Sequence, residues 1–146
     1  EAQVEEAVQQ GARVLAGGSR IQTDHGVYFE PTLLDRVDHS MVLMQEETFG
    51  PVIPVMKVAD EEEALALAGE TPFGLGGAVF TRDLARGEQI ARDELEVGAA
   101  FVNDFVRSDP RLPFGGIKDS GNGVKEGVIE AMKFFTNVKT YSLPWP

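Results

Sequence analysis

Residues 46–52 read Glu-Glu-Thr-Phe-Gly-Pro-Val, which sets two carboxylates and an aromatic ring beside a Gly-Pro turn. Gly-Pro punctuates a chain, and the apolar run 52–58 after it reads as a buried strand, so Glu46, Glu47 and Phe49 stand on a short turn entering a sheet. Pro54 places that strand at a sheet edge or makes it begin late, because proline has no N–H to donate to a ladder. A carboxylate there can grip a sugar hydroxyl through both oxygens, and an aromatic two residues on can wall a planar ring. The same pattern also suits a solvated acidic turn with a core phenylalanine, and the residues alone leave both readings open.

Chemistry-bearing residues gather again at 108–123, SDPRLPFGGIKDSGNG. The stretch is too rich in glycine and proline for a regular element, and a long irregular loop inside a compact domain is functional or disordered. Pro113, Phe114 and Ile117 argue against disorder, since a flexible linker has no use for them. The glycines do not make a phosphate loop, because no Lys-Ser or Lys-Thr pair follows the second glycine of a GxxxxG frame. The glycines of 74–77 read as a turn. Ser108 and Ser120 have no base in view beyond His25 and His39, which read as ordinary surface or loop residues. With no cysteine in the sequence there is no thiolate nucleophile, disulfide or thiolate metal site. No metal site is expected.

The elements that must position these residues alternate along the chain. Residues 2–10 carry Val4, Ala7 and Val8 at helical spacing with Gly11 as a cap, and 13–16 reads as a strand ending in Gly17-Gly18. Residues 26–31 are loop or short strand, and 32–37 a strand. Asp60 and Glu63 form a capping box, and the acidic run 60–63 complements the helix dipole ahead of Ala64, Leu65, Leu67 and Ala68. Residues 71–74 break that helix. A strand at 77–80, a helix at 83–95, a strand at 98–103, a helix at 127–135 and a strand at 138–143 complete the series. This rhythm predicts an α/β fold, a mostly parallel sheet with flanking helices.

Composition narrows the partners. The chain has 146 residues, one domain's worth, with 13 basic against 24 acidic residues and a net charge of -11. Scattered basic residues in an acidic chain exclude a nucleic-acid surface. No apolar run approaches the roughly 18 residues of a membrane span and no signal-peptide pattern is read, so no membrane partner and a cytoplasmic location are expected. The first residue is Glu1, not Met, so the chain is expected to be processed or cut from something longer.

Several motifs together resemble the aldehyde dehydrogenase superfamily. Glu-Glu-Thr-Phe-Gly-Pro-Val at 46–52, Pro-Phe-Gly-Leu-Gly at 72–76, Val102-Asn103, and Pro-Phe-Gly-Gly-Ile-Lys-Asp-Ser-Gly at 113–121 stand in that family's order and spacing. Gly17-Gly18, Phe29-Glu30-Pro31-Thr32 and Val138-Lys139-Thr140 are also similar to it. The resemblance spans essentially the whole chain but only the last third of such an enzyme. It implies that 1–137 is the C-terminal portion of an aldehyde dehydrogenase catalytic domain, that 108–123 is its active-site loop, and that 138–146 is an oligomerisation strand and tail. A homo-oligomer through the C-terminal strand follows.

In that family a cysteine thiolate attacks the aldehyde carbon, hydride leaves to NAD or NADP, and a glutamate-activated water releases the acid. The resemblance puts nucleophile, base and the dinucleotide-gripping half upstream. No catalytic residue is expected in this chain, which alone is expected to be inactive and to bind neither NAD nor NADP. By the same resemblance Glu47 would hydrogen-bond the nicotinamide ribose, Phe49 would flank the nicotinamide, Glu46 would face solvent, and Phe114 would line the aldehyde tunnel, with Asn103 and Gly115 supporting the loop. Plain core packing is the alternative for Phe114. Ser108 resembles a serine that succinate-semialdehyde dehydrogenases place on the substrate's distal carboxylate, with Arg107 or Arg111 adding charge; the alternative is a cap on the Asp-Pro turn. Val124-Lys125 stands where the family has Arg-Glu, and Gly69 where it has asparagine. The competing class is a non-catalytic binding or assembly module with the same fold. A cysteine-bearing reading frame upstream of Glu1 would separate the two.

Overall fold

The computed structural model describes residues 1–123, 126–137 and 139–145. The chain divides into two compact units, Glu1–Leu67 and Ala68–Pro146. The first opens with helix α1 (Ala2–Gln9), which buries Val4 and Ala7. Gly11 ends it in the left-handed region, its N–H bonding the Val8 carbonyl and the next N–H, of Ala12, bonding that of Ala7. That is the paired closure typical of a glycine-terminated helix. Strand β1 (Arg13–Ala16) follows, then β2 (Arg20–Thr23), β3 (Gly26–Phe29) and β4 (Thr32–Asp35).

β4 is the centre of a three-stranded sheet, antiparallel to β1 and parallel to β5 (Val52–Pro54). Arg13 faces Asp35 across the first pair, and their side chains meet at 3.1 Å. β5 is therefore an edge, as Pro54 requires, and is three residues long where the sequence reads as seven. Leu34 on β4 is fully buried and packs with Val4, Ala7, Ala12, Val37, Met41 and Leu43. Leu43 comes from a short helix, α2 (Val42–Gln45). Beside them the buried Thr32 hydroxyl accepts from the Gly18 N–H and donates to the Glu30 carbonyl, both at 2.8 Å, so no polar group is left unmet there. Gly17 is required at this contact, since a Cβ would lie 2.2 Å from the Pro31 oxygen.

Helix α3 (Glu61–Glu70) starts at the expected capping box. Asp60 Oδ1 accepts from the Glu63 N–H at 2.9 Å, and Glu63 reaches back to the Ala59 N–H. In the second unit β6 (Phe73–Gly74) pairs antiparallel with β9 (Ile117–Lys118), and β7 (Gly76–Val79) pairs parallel with β8 (Ala99–Val102). Helix α4 (Leu84–Gln89), capped by Asp83 through the Arg86 N–H, runs into a π-helical turn at Ile90–Glu94. The Leu95 N–H there bonds the Ile90 carbonyl, five residues back. The bidentate Arg86–Glu94 pair ties the two segments together. Helix α5 (Val128–Phe135) ends the regular structure.

Three expectations need correction. The strands do not form one mostly parallel sheet: among the described residues there are four small sheets, two of them antiparallel pairs and one mixed. Alternation of helices and strands does not name each strand's partner, and the turn at 24–25 closes β2 and β3 into an antiparallel hairpin that the pattern did not reveal. The helix read at 83–95 changes its winding at Ile90. The loop 108–123 is not wholly irregular, since β9 finds a partner at β6, over forty residues earlier. Of the closing strand read at 138–143, Val138 lies outside the described residues, and 139–143 carry no strand; an edge needs a partner strand to become one.

Candidate active-site surfaces

In the first unit the acidic turn runs from the end of α2 to β5. The Glu46 N–H bonds the Val42 carbonyl, the Gly50 N–H that of Thr48, and the Val52 N–H that of Gly50, so successive tight turns carry the chain into the sheet. Thr48 is anchored to α1, its hydroxyl 2.9 Å from Gln3 Oε1. Buried Leu43 before the turn and Val52 after it pack on the core, so both ends of the turn are fixed. Glu46 and Glu47 are exposed, and neither side chain has a hydrogen-bond partner among the described residues. Phe49 is 98% exposed and borders a cleft of about 520 Å³ with Arg20, Tyr28, Phe29 and Thr48. Phe49 takes no part in the buried cluster of this unit.

In the second unit a cleft of about 390 Å³ is lined by Ala99, Phe101, Arg107, Asp109, Leu112 and Phe114. Phe114 is half-buried, and its backbone pairs in both directions with Glu126, at 3.4 and 3.2 Å. The Ser108 hydroxyl donates to Glu126 Oε2 at 3.3 Å. Glu126 thus joins the two expected substrate residues, a link between positions 18 residues apart that no local pattern announces. Ser108 does not cap the Asp-Pro turn. Asp109 does, through the Arg111 N–H at 2.9 Å, and its carboxylate also holds the Arg111 guanidinium at 2.6 Å. The Arg111 hydrogen bonds keep the Asp109 carboxyl below its usual pKa range. Arg107 is paired with Asp104 at 2.8 Å. Both arginines expected to add charge near Ser108 are therefore matched by neighbouring acids.

The supports differ in part from expectation. Gly115 lies against the start of β8, where a Cβ on Gly98 would come 1.7 Å from the Gly115 oxygen, so only glycine allows the approach. Asn103, in the left-handed region, does not hold the loop. Its amide accepts from the Thr81 N–H and donates to the Thr81 carbonyl, both at 2.8 Å, because β8 ends beside β7. The Ser120 hydroxyl accepts from the Gly74 N–H at 3.0 Å, an anchoring use. Lys118 meets Glu96 at 2.8 Å and donates to the Gly69 carbonyl at 3.0 Å near the end of α3, where a cation is favoured. The Lys118 ammonium holds the Glu96 carboxyl below its usual range. His25 sits in the hairpin turn and His39 ahead of α2, its carbonyl accepting from the Gln45 amide. No group of three or more His, Asp or Glu among the described residues can hold a metal. Val124-Lys125 lies outside the described residues.

The aldehyde dehydrogenase family model matches residues 1–141. The chain is 45% identical over 139 residues to the NADP(+) succinate-semialdehyde dehydrogenase of Deinococcus radiodurans, covering 95% of this chain and 28% of that protein. It is 44% identical over 136 residues to the mitochondrial succinate-semialdehyde dehydrogenase of Mus musculus, covering 91% and 26%. The solved aldehyde dehydrogenase of Mycobacterium tuberculosis complexed with NAD+ matches at a TM-score of 0.86 and 36% identity, over 98% of this chain and 29% of that one. The chain thus spans between 26% and 28% of the length of these two curated relatives.

Proposed function

The chain belongs to the aldehyde dehydrogenase family, and on that premise we propose that it is the closing portion of an NAD(P)-dependent enzyme that oxidises succinate semialdehyde to succinate. The 98% exposure of Phe49 carries the reading. Phe49 is outside the buried cluster of its unit, and a free ring beside the unpartnered carboxylate of Glu47 suits a nicotinamide and its ribose. When bound, the dinucleotide would supply the hydride acceptor. Glu47 would accept from the ribose hydroxyls and Phe49 would lie against the ring. Phe114 would line the aldehyde's path, and Ser108 would donate to the distal carboxylate. Relatives named for NADP(+) and complexed with NAD+ support a nicotinamide dinucleotide of either kind.

The family's thiolate has no counterpart here, since the sequence contains no cysteine. Alone, the chain would form no thioester and reduce no dinucleotide. We place residues 138–146 as the oligomerisation strand and tail of a cytoplasmic homo-oligomer, although the mouse relative is named mitochondrial. Purified chain supplied with succinate semialdehyde and NAD+ or NADP+ is expected to give no reduced dinucleotide. In the full-length enzyme Phe49→Ala is expected to raise the dinucleotide KM about tenfold and to leave the aldehyde KM nearly unchanged. Turnover by the verified chain, or an unaltered dinucleotide KM, would refute the reading.

A second reading is a non-catalytic assembly module with the same fold, favoured by the apolar side chains that the second unit exposes, among them Phe80, Phe105, Met132 and Phe135. Co-purification with a separate, enzymatically complete protein would support it over the first.

A further inference from the structure

We propose that Glu126 is a positioning residue that sets substrate preference, an internal carboxylate that occupies the Ser108 hydroxyl until the anionic end of a substrate displaces it. The inference rests on the reading that Ser108 meets the substrate. The backbone of Glu126 is fixed by its two-way pairing with Phe114, which lines the 390 Å³ cleft, so its side chain is held within reach of that site. The Ser108 contact is loose: its 3.3 Å exceeds the roughly 2.5–2.7 Å of a tight hydroxyl–carboxylate bond. Both residues are exposed, so the Glu126 side chain can turn into water without stranding a buried charge.

A substrate carboxylate arriving at Ser108 would meet Glu126 as a like charge. Arg107 and Arg111, which would otherwise offset a second carboxylate, are engaged by Asp104 and Asp109. An anionic aldehyde therefore has to displace Glu126, and a neutral aldehyde of the same length does not. Glu126 discriminates against the very substrate class that Ser108 accepts, and so sets how strongly that class is preferred.

The test compares succinate semialdehyde with butanal in the full-length enzyme that contains this segment. Glu126→Gln is expected to lower the KM for succinate semialdehyde about fivefold, with kcat and the butanal KM unchanged. Glu126→Asp should behave as wild type, and adding Ser108→Ala to E126Q should abolish the gain. Parallel shifts in both KM values, a change confined to kcat, or no shift in the preference ratio would overturn the proposal. The wild-type ratio separately judges the substrate reading: a wild-type enzyme that prefers butanal refutes that reading, while a rise in the ratio on E126Q still upholds the role of Glu126.

Discussion

Leu34 sits at the point where β4 meets both its neighbours, and its side chain has no access to solvent. Leu34→Ala would remove buried methyl groups and leave a cavity in the only cluster of buried apolar residues in the first unit, a loss of about 3 kcal/mol by urea denaturation. Lys118 and Glu96 make a pH-dependent contribution. Glu96 has its carboxyl lowered from an ordinary 4.5, chiefly by the hydrogen bond from Lys118 and then by its charge. A depressed folded-state value means that the stabilisation is present above the unfolded value and is lost as pH falls through the folded one. The Tm difference between wild type and Lys118→Met should therefore be larger near neutrality than below about pH 4. A residual, pH-independent difference would come from the lost bond to the Gly69 carbonyl. A Tm difference that does not change with pH would refute the assignment to Glu96.

Three helix ends follow short-range chemistry: the start of α3, the close of α1 and the start of α4. Asp60→Ala removes the acceptor for the Glu63 N–H and should destabilise the chain by about 1 kcal/mol in urea melts, with Asp60→Asn retaining most of the cap. The capping box and the glycine closure of α1 were legible, because each is complete within a few residues of sequence; the Asp83 cap was not, since the sequence reads as helical from 83 itself. The hairpin of β2 and β3 and the two-residue strand β9 were not. Their pairing depends on which strand edge lies within reach, and 4-residue or 2-residue runs have too few side chains to show an alternation. The π-helical turn escaped for a similar reason. The apolar positions of 83–95 continue through it, while its five-residue hydrogen bond leaves no mark in residue types.

The two units are unequally built. Seven buried apolar residues cluster in Glu1–Leu67, whereas Ile90 is the single one in Ala68–Pro146 among the described residues. Amide exchange in the isolated chain should be slowest in β1, β4 and α1 and faster throughout the second unit, including β7 and β8. Equal protection of the two units would contradict this ranking. At this scale the sequence by itself determined the family, the start of α3, the close of α1 and the turn that carries Glu47 and Phe49, because motifs, caps and turns are written in residues close together along the chain. Only the tertiary structure decided that β4 lies between β1 and β5, that Phe49 stands outside the core, and that Glu126 holds Ser108. Each of these depends on which distant backbone approaches, and so on packing and pairing that no local residue pattern encodes.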